Sequence, residues 1–166
     1  MGKSKKEVKK DNKILYVICA VLIIIIISVI IFLLLNNRNV ICENVSNQKA
    51  DGYKIENTYN ISSDKGIVNK VVIKEVITSE KKDVLNNFEK QLKDQYEYNK
   101  TIYGGYAYKI NKSNGKLEAD ITVDYTKMNL ERFIKDNEAM RQYTKDNKLT
   151  LDGARKLYES SGAKCR

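Results

Sequence analysis

The sequence predicts an α+β domain preceded by a single transmembrane helix. The domain is an antiparallel four-stranded sheet in β-β-α-β-β-α order, with helices packed on one face. Three observations predict it. Residues Ile14–Leu35 form a charge-free run of 22 residues. Downstream, several segments alternate apolar with polar residues, the period of half-buried strands. Two further segments repeat apolar residues at spacings of three and four, the period of amphipathic helices.

The apolar run holds nine Ile, five Leu, three Val and one Phe, with polarity only at Tyr16, Cys19 and Ser28. As a helix it would reach ~33 Å, enough for a hydrocarbon core of ~30 Å. Its 18 large apolar residues would favour insertion by on the order of 5–11 kcal/mol. Residues 1–13 carry six Lys against Glu7 and Asp11, and only Arg38 follows the run closely. Positive charge stays on the cytoplasmic side. The expectation is a cell-membrane protein with the N-terminus inside, the bilayer as partner of Ile14 to Leu35, and residues 36–166 outside the cell. A cleaved signal peptide would have a shorter apolar region and small residues at its end; this run ends in Leu33, Leu34, Leu35 and Asn36. Ile18 and Ile41 precede Cys19 and Cys42, which argues against acylation, and a pilin-like start is missing. The expected organisation is a basic tail over 1–13, a membrane helix over 14–35, a linker over 36–48 and the domain over 49–166.

In the domain, Tyr53, Ile55, Tyr59 and Ile61 fall on alternate positions and predict a first strand. Ser62 to Gly66 is a turn cluster. Ile67 to Thr78 is a β-branched run, with Val68, Val72 and Val76 on one register and Ile67, Val71, Ile73 and Ile77 on the other, so the two runs form a hairpin. Ser79 reads as an N-cap for a helix over about Glu80–Tyr98, whose face is Val84, Leu85, Phe88, Leu92 and Tyr96. Ile102 to Asn111 is a third strand, broken at Gly104 and Gly105 by a bulge. Asn114-Gly115 suits a type I′ hairpin turn. Leu117, Ala119, Ile121, Val123 and Tyr125 then alternate with Glu118, Asp120, Thr122 and Asp124, the cleanest strand in the chain. Short helical pieces follow over Met128–Asn147. Thr150 caps a last short helix through Leu151, Ala154, Leu157 and Tyr158, and Gly162 stops it.

Ile121-Thr-Val-Asp-Tyr-Thr-Lys-Met-Asn-Leu130 resembles the TVDY-x-K-x-x-L segment of the YehR-like lipoproteins of Gram-positive bacteria. The segment Leu149 to Gly162 is similar to their last helix, and Tyr53 to Tyr59 to their first strand. The resemblance implies an extracytoplasmic domain and no defined activity. It also implies a lipid-modified Cys after a signal peptide; here a membrane helix is expected to take that place.

The composition excludes some chemistry. The chain has no His, which rules out Ser-His-Asp and Cys-His catalysis and His-ligated metal sites. Residues 36–166 carry a net charge of +5 that is evenly scattered, the pattern of a solvated surface and not of a nucleic-acid patch. No catalytic residue, cofactor or metal ligand is expected. Cys42 and Cys165 bracket the domain and either pair as a disulfide outside the cytoplasm or remain two unrelated thiols. Tyr103, Gly104, Gly105, Tyr106 and Tyr108 are the candidate ligand surface; as strand residues they equally bury rings and wet hydroxyls. The expected function is a non-catalytic binding or cell-envelope module whose partner is an envelope ligand or protein. The alternatives are an envelope enzyme or enzyme accessory using the Glu118, Asp120 and Asp124 carboxylate face, or a purely structural surface protein.

Overall fold

The computed structural model describes residues 21–31 and 37–166. The chain divides into two units, residues 1–36 and 37–166. In the first unit, residues 21–31 form a helix, α1, whose large apolar side chains are exposed. The expected transmembrane helix over Ile14–Leu35 needs correction. Among the described residues, no helix is long and apolar enough to cross a membrane. The 11 described residues of α1 account for ~16 Å of helix. Residues 14–20 and 32–35 of the expected span, and the basic tail 1–13, lie outside the described residues.

The second unit is α+β, with a six-stranded antiparallel sheet in place of the expected four. Its main strands are β1 (Asn37–Gln48), β2 (Tyr53–Asp64), β3 (Ile67–Ser79), β4 (Tyr106–Ser113) and β5 (Lys116–Asp124). The sixth, β8, is the two-residue strand Lys164–Cys165, and the order across the sheet is β4-β5-β3-β2-β1-β8. β6 (Thr144–Lys145) and β7 (Lys148–Leu149) form a separate miniature hairpin.

The additional strands come from segments read as linker and tail. In β1 the apolar residues are few, and Asn39, Asn44 and Asn47 are poor strand formers. What makes it a strand is its partner: Asn37 to Gln48 pair without interruption with Asp64 to Tyr53 of β2. β8 then pairs Cys42 with Cys165 and Glu43 with Lys164.

Of three helices, α2 (Lys82–Tyr103) and α4 (Leu151–Ser160) pack on the sheet, and α3 (Leu130–Asp136) packs on α2. A 3-10 segment, Glu138–Tyr143, links α3 to the miniature hairpin. α2 starts later than the sequence predicts, because Ser79 is spent elsewhere. Its hydroxyl donates to the Gly52 carbonyl (2.8 Å) and accepts from the Lys81 N–H (3.1 Å). The end of β3 is thereby tied to the β1–β2 turn. α2 also runs past Tyr98 to Tyr103, taking Ile102 and Tyr103 from the expected third strand, and Gly104 follows as its C-cap. Thr150 does cap α4, accepting the Gly153 N–H at 2.9 Å. Gly162, at φ +88°, ends that helix as the Ala163 N–H reaches back to the Tyr158 carbonyl (3.0 Å).

α2 packs on β3, β5 and β4, whereas α4 packs on β1, β2 and β3. The core between them holds Ile61, Val71, Ile77, Leu117 and Ile121 from the sheet, all fully buried. Leu85, Leu92, Tyr96 and Tyr103 close it from α2. Cys42 and Cys165 are joined by a disulfide, their Cα atoms 4.0 Å apart.

Candidate functional site

The ladder between β2 and β3 slips by one residue. Ser62 lies opposite Lys70 and Ser63 opposite Val68, so Asn69 has no partner on β2. Bulges of this kind re-aim side chains. The Asn69 carbonyl accepts the Tyr125 N–H at 2.9 Å, which holds the segment after β5 against the bulge. Its side-chain Oδ1 is buried and has no hydrogen-bond partner.

A cavity of about 620 Å³ opens beside this bulge. Asp64 at the end of β2 and Lys65 of the following turn form one wall, Ile67, Val68 and Asn69 the back, Tyr125, Thr126 and Met128 to Glu131 a second wall and Asn147 to Leu149 a third. Each wall is built locally. The Asp124 carboxylate accepts from the Thr126 N–H (3.1 Å) and hydroxyl (2.5 Å), which tightens the turn after β5. That Thr126 hydroxyl, followed by Lys127, holds the Asp124 carboxyl below its ordinary pKa. Asn129 caps α3, accepting the Arg132 N–H at 3.0 Å, and donates its own N–H to the Tyr103 carbonyl at 2.7 Å. The Leu151 N–H reaches the Gly66 carbonyl at 2.8 Å, bringing the start of α4 to the β2–β3 turn. The cavity carries two cations, Lys65 and Lys148, and two anions, Asp64 and Glu131. The rest of its lining is apolar or an uncharged polar group, a makeup common in small-ligand sites of this size.

A second polar feature crosses the helix-covered face. Asn44 on β1 pairs with Asn57 on β2, Asn57 with Glu75 on β3, and Glu75 with Ala119 on β5. Glu75 shares its register with Val71, Ile73 and Ile77, so a carboxyl stands where the core continues. Burial pushes its pKa up. Among the described residues it makes no ion pair or hydrogen bond. The Asn57 Oδ1 beside it is also buried and unpartnered. Two tyrosines, Tyr59 and Tyr96, lie close enough to feel the Glu75 charge; Tyr59 stacks on Tyr158 at 4.1 Å, and Tyr96 tilts against Tyr108 at 5.9 Å. Burial, then the Glu75 charge, raises the Tyr59 and Tyr96 phenols; burial lifts Tyr106 to about 12.

The expected ligand surface is distributed around the end of α2. Tyr103 is buried, edge-on to Phe133 at 5.0 Å, and donates its hydroxyl to Asp136 at 3.2 Å. Gly104 and Gly105 connect α2 to β4 and form no bulge. The close approach at Gly105 is internal: at φ +71°, a Cβ there would meet the Asp124 carbonyl at 2.5 Å. Tyr106 and Tyr108 are half-buried on the helix side, and the Tyr108 hydroxyl donates to Glu97 at 3.0 Å. The carboxylates Glu118, Asp120 and Asp124 lie on the opposite, open face. Glu118 pairs with Lys116 at 2.8 Å and Lys74 at 3.9 Å, and Asp124 with Lys127 at 3.2 Å; Lys116 holds the Glu118 carboxyl below its ordinary pKa. Asp120 sits opposite Lys74 and Lys109. Among the described residues no group of His, Cys, Asp and Glu could hold a metal ion.

Sequence reasoning missed Asn69 and Glu75. The parity of β3 was a usable signal for Glu75, which breaks an otherwise apolar register. Nothing local marks Asn69, because the bulge depends on pairing with β2.

No protein-family model matches the sequence, and no curated protein matches it. Among solved structures, the NMR structure of the Escherichia coli YehR protein aligns with a TM-score of 0.51 at 15% identity. The alignment covers 78% of this chain and 91% of that one. The NMR structure of a protein from Streptococcus pneumoniae TIGR4 aligns with a TM-score of 0.46 at 12% identity, covering 76% and 84%. The likeness to the Escherichia coli protein is one of fold, and on that basis the chain has a YehR-like fold.

Proposed function

We propose that residues 37–166 act outside the cytoplasm, at the cell membrane, as a non-catalytic module that binds a small envelope ligand. The observation that carries the binding role is the cavity of about 620 Å³ beside the β3 bulge. Its volume suits a small molecule, and its balanced charges suit a zwitterionic or uncharged one with an apolar part. Two of the three segments that resemble YehR-like lipoproteins, Ile121 to Leu130 and Leu149 to Gly162, contribute to its walls. Two features support the location: the lysine-flanked apolar run at the N-terminus, and a disulfide between Cys42 and Cys165, a bond that persists in oxidising compartments. An enzyme using Glu118, Asp120 and Asp124 draws less support, because Glu118 and Asp124 are held ionised by lysines and a hydroxyl on an open face.

Native mass spectrometry of the full chain, extracted from its own envelope in mild detergent, tests the proposal. Glu131 is exposed at the cavity, so Glu131→Trp blocks it without cutting into the core. A bound small-molecule mass on the wild type, absent from Glu131→Trp, is the expected result. No bound mass, or the same mass on both proteins, would reject the cavity as the site.

A further inference from the structure

We propose that the Asn57–Glu75 row is a second binding site, one that takes the ammonium group of an organic amine. The argument begins with an unmet demand. A carboxylate withdrawn from water needs a cation or hydrogen-bond donors. Among the described residues no cation pairs with the Glu75 carboxylate, and no neighbouring side chain donates a hydrogen bond to it. On β5 the residue opposite Glu75 is Ala119. On β2 its partner is Asn57, whose own oxygen is unpartnered. Asn44 on β1 donates its amide to the Ser161 carbonyl at 2.9 Å. On the helices packed against the sheet, Lys93 of α2 pairs with Glu89, and Arg155 of α4 with Glu159.

The groups that do face the row are aromatic. Tyr59 and Tyr96 both feel the Glu75 charge, and Tyr158 stacks on Tyr59. A carboxylate and an amide oxygen side by side, with tyrosine rings around them, match an ammonium: N–H donors meet the oxygens, and the cation meets the ring faces. The row lies where α2, seated on β3–β5–β4, gives way to α4, seated on β1–β2–β3. Asn44, Asn57 and Glu75 are each half-buried as residues, while the Asn57 Oδ1 itself is enclosed, so an amine meets the Glu75 carboxylate first and reaches the amide oxygen only as neighbouring side chains give way. This site is on a different part of the sheet from the bulge cavity and does not depend on it.

The test uses the full chain in detergent, titrated with n-butylammonium and, separately, with neutral n-butanol, and read by NMR at the backbone amides of residues 57 and 75. The expected result is a saturable shift with the amine and none with the alcohol. Glu75→Gln should weaken binding about tenfold or more, the scale of a charge-assisted hydrogen bond. Asn57→Leu, which keeps the carboxylate, should weaken it severalfold. The amine competes with the proton, so wild-type affinity should rise with pH as Glu75 ionises, and Glu75→Gln should abolish that rise; the facing tyrosines, raised by burial, stay neutral throughout. Equal responses to amine and alcohol, unchanged affinity in both variants, or no saturable shift in the wild type would overturn the proposal.

Discussion

Removing the bond between Cys42 and Cys165 should be the most damaging two-atom change in the domain. The cysteines are 123 residues apart, so the bond closes nearly the whole domain into one loop. Chain entropy for a loop of that length gives about 5 kcal/mol of stabilisation. The unit from 37 to 166 should unfold with an entropy of about 270 cal/mol/K, so that loss corresponds to a fall in Tm of about 18 °C. The native structure shows where the loss would be felt. The Ile41 and Arg166 backbones exchange hydrogen bonds at 3.1 and 2.9 Å, and this pairing depends on the C-terminus staying beside β1. The assay is thermal unfolding by circular dichroism of the oxidised protein and of Cys42→Ala/Cys165→Ala, with hydrogen exchange at Ile41 and Arg166. A drop in Tm below about 5 °C would refute the reasoning, since it would mean that the loop is already restrained without the sulfur bond.

Other expectations follow from single positions. Gly105→Ala forces a Cβ to within 2.5 Å of the Asp124 carbonyl at φ +71°, and should cost more than about 1 kcal/mol in urea unfolding. A Cβ at Gly153 would overlap the Tyr143 carbonyl, so Gly153→Ala should shift α4 from the 3-10 segment and cost about 1–3 kcal/mol. Thr150→Ala removes the cap on the Gly153 N–H and should cost about 1 kcal/mol. The Glu75 pKa is raised in the folded protein, so the native state holds more protons than the unfolded one between the ordinary and the raised value. Its contribution is therefore fully present below the ordinary carboxylate range and is lost as pH rises through the raised value. Urea midpoints measured across that window should fall with pH in the wild type and stay flatter in Glu75→Gln.

The legible parts of the fold were those governed by local pattern. Leu117, Ala119, Ile121 and Val123 alternate strictly, and all four are buried. The Asn114-Gly115 turn and the Thr150 cap depend on side chains within a few residues, and a sequence displays these directly. The helix-to-strand boundary at Gly104 was misjudged because Ile102 and Tyr103 satisfy either period. β1 was read as a linker because its asparagines argue against a strand, and only its long pairing with β2 overrides them. The binding features were illegible for the same reason. The Asn69 bulge is a property of two strands together, and the cavity beside it draws walls from three segments far apart in sequence.

The joined cysteines also bear on how the domain responds to pulling. Tension entering at Asn37 would peel β1 from β2 one residue pair at a time, starting at the Asp64 end. After Ile41 the peel meets Cys42, and the force passes through the sulfur bridge to Cys165. From there it reaches α4, where Arg155 holds the Cys165 carbonyl at 3.1 Å. Unravelling from that side therefore stalls after five residues, and the remaining load is shared with a helix seated on the sheet.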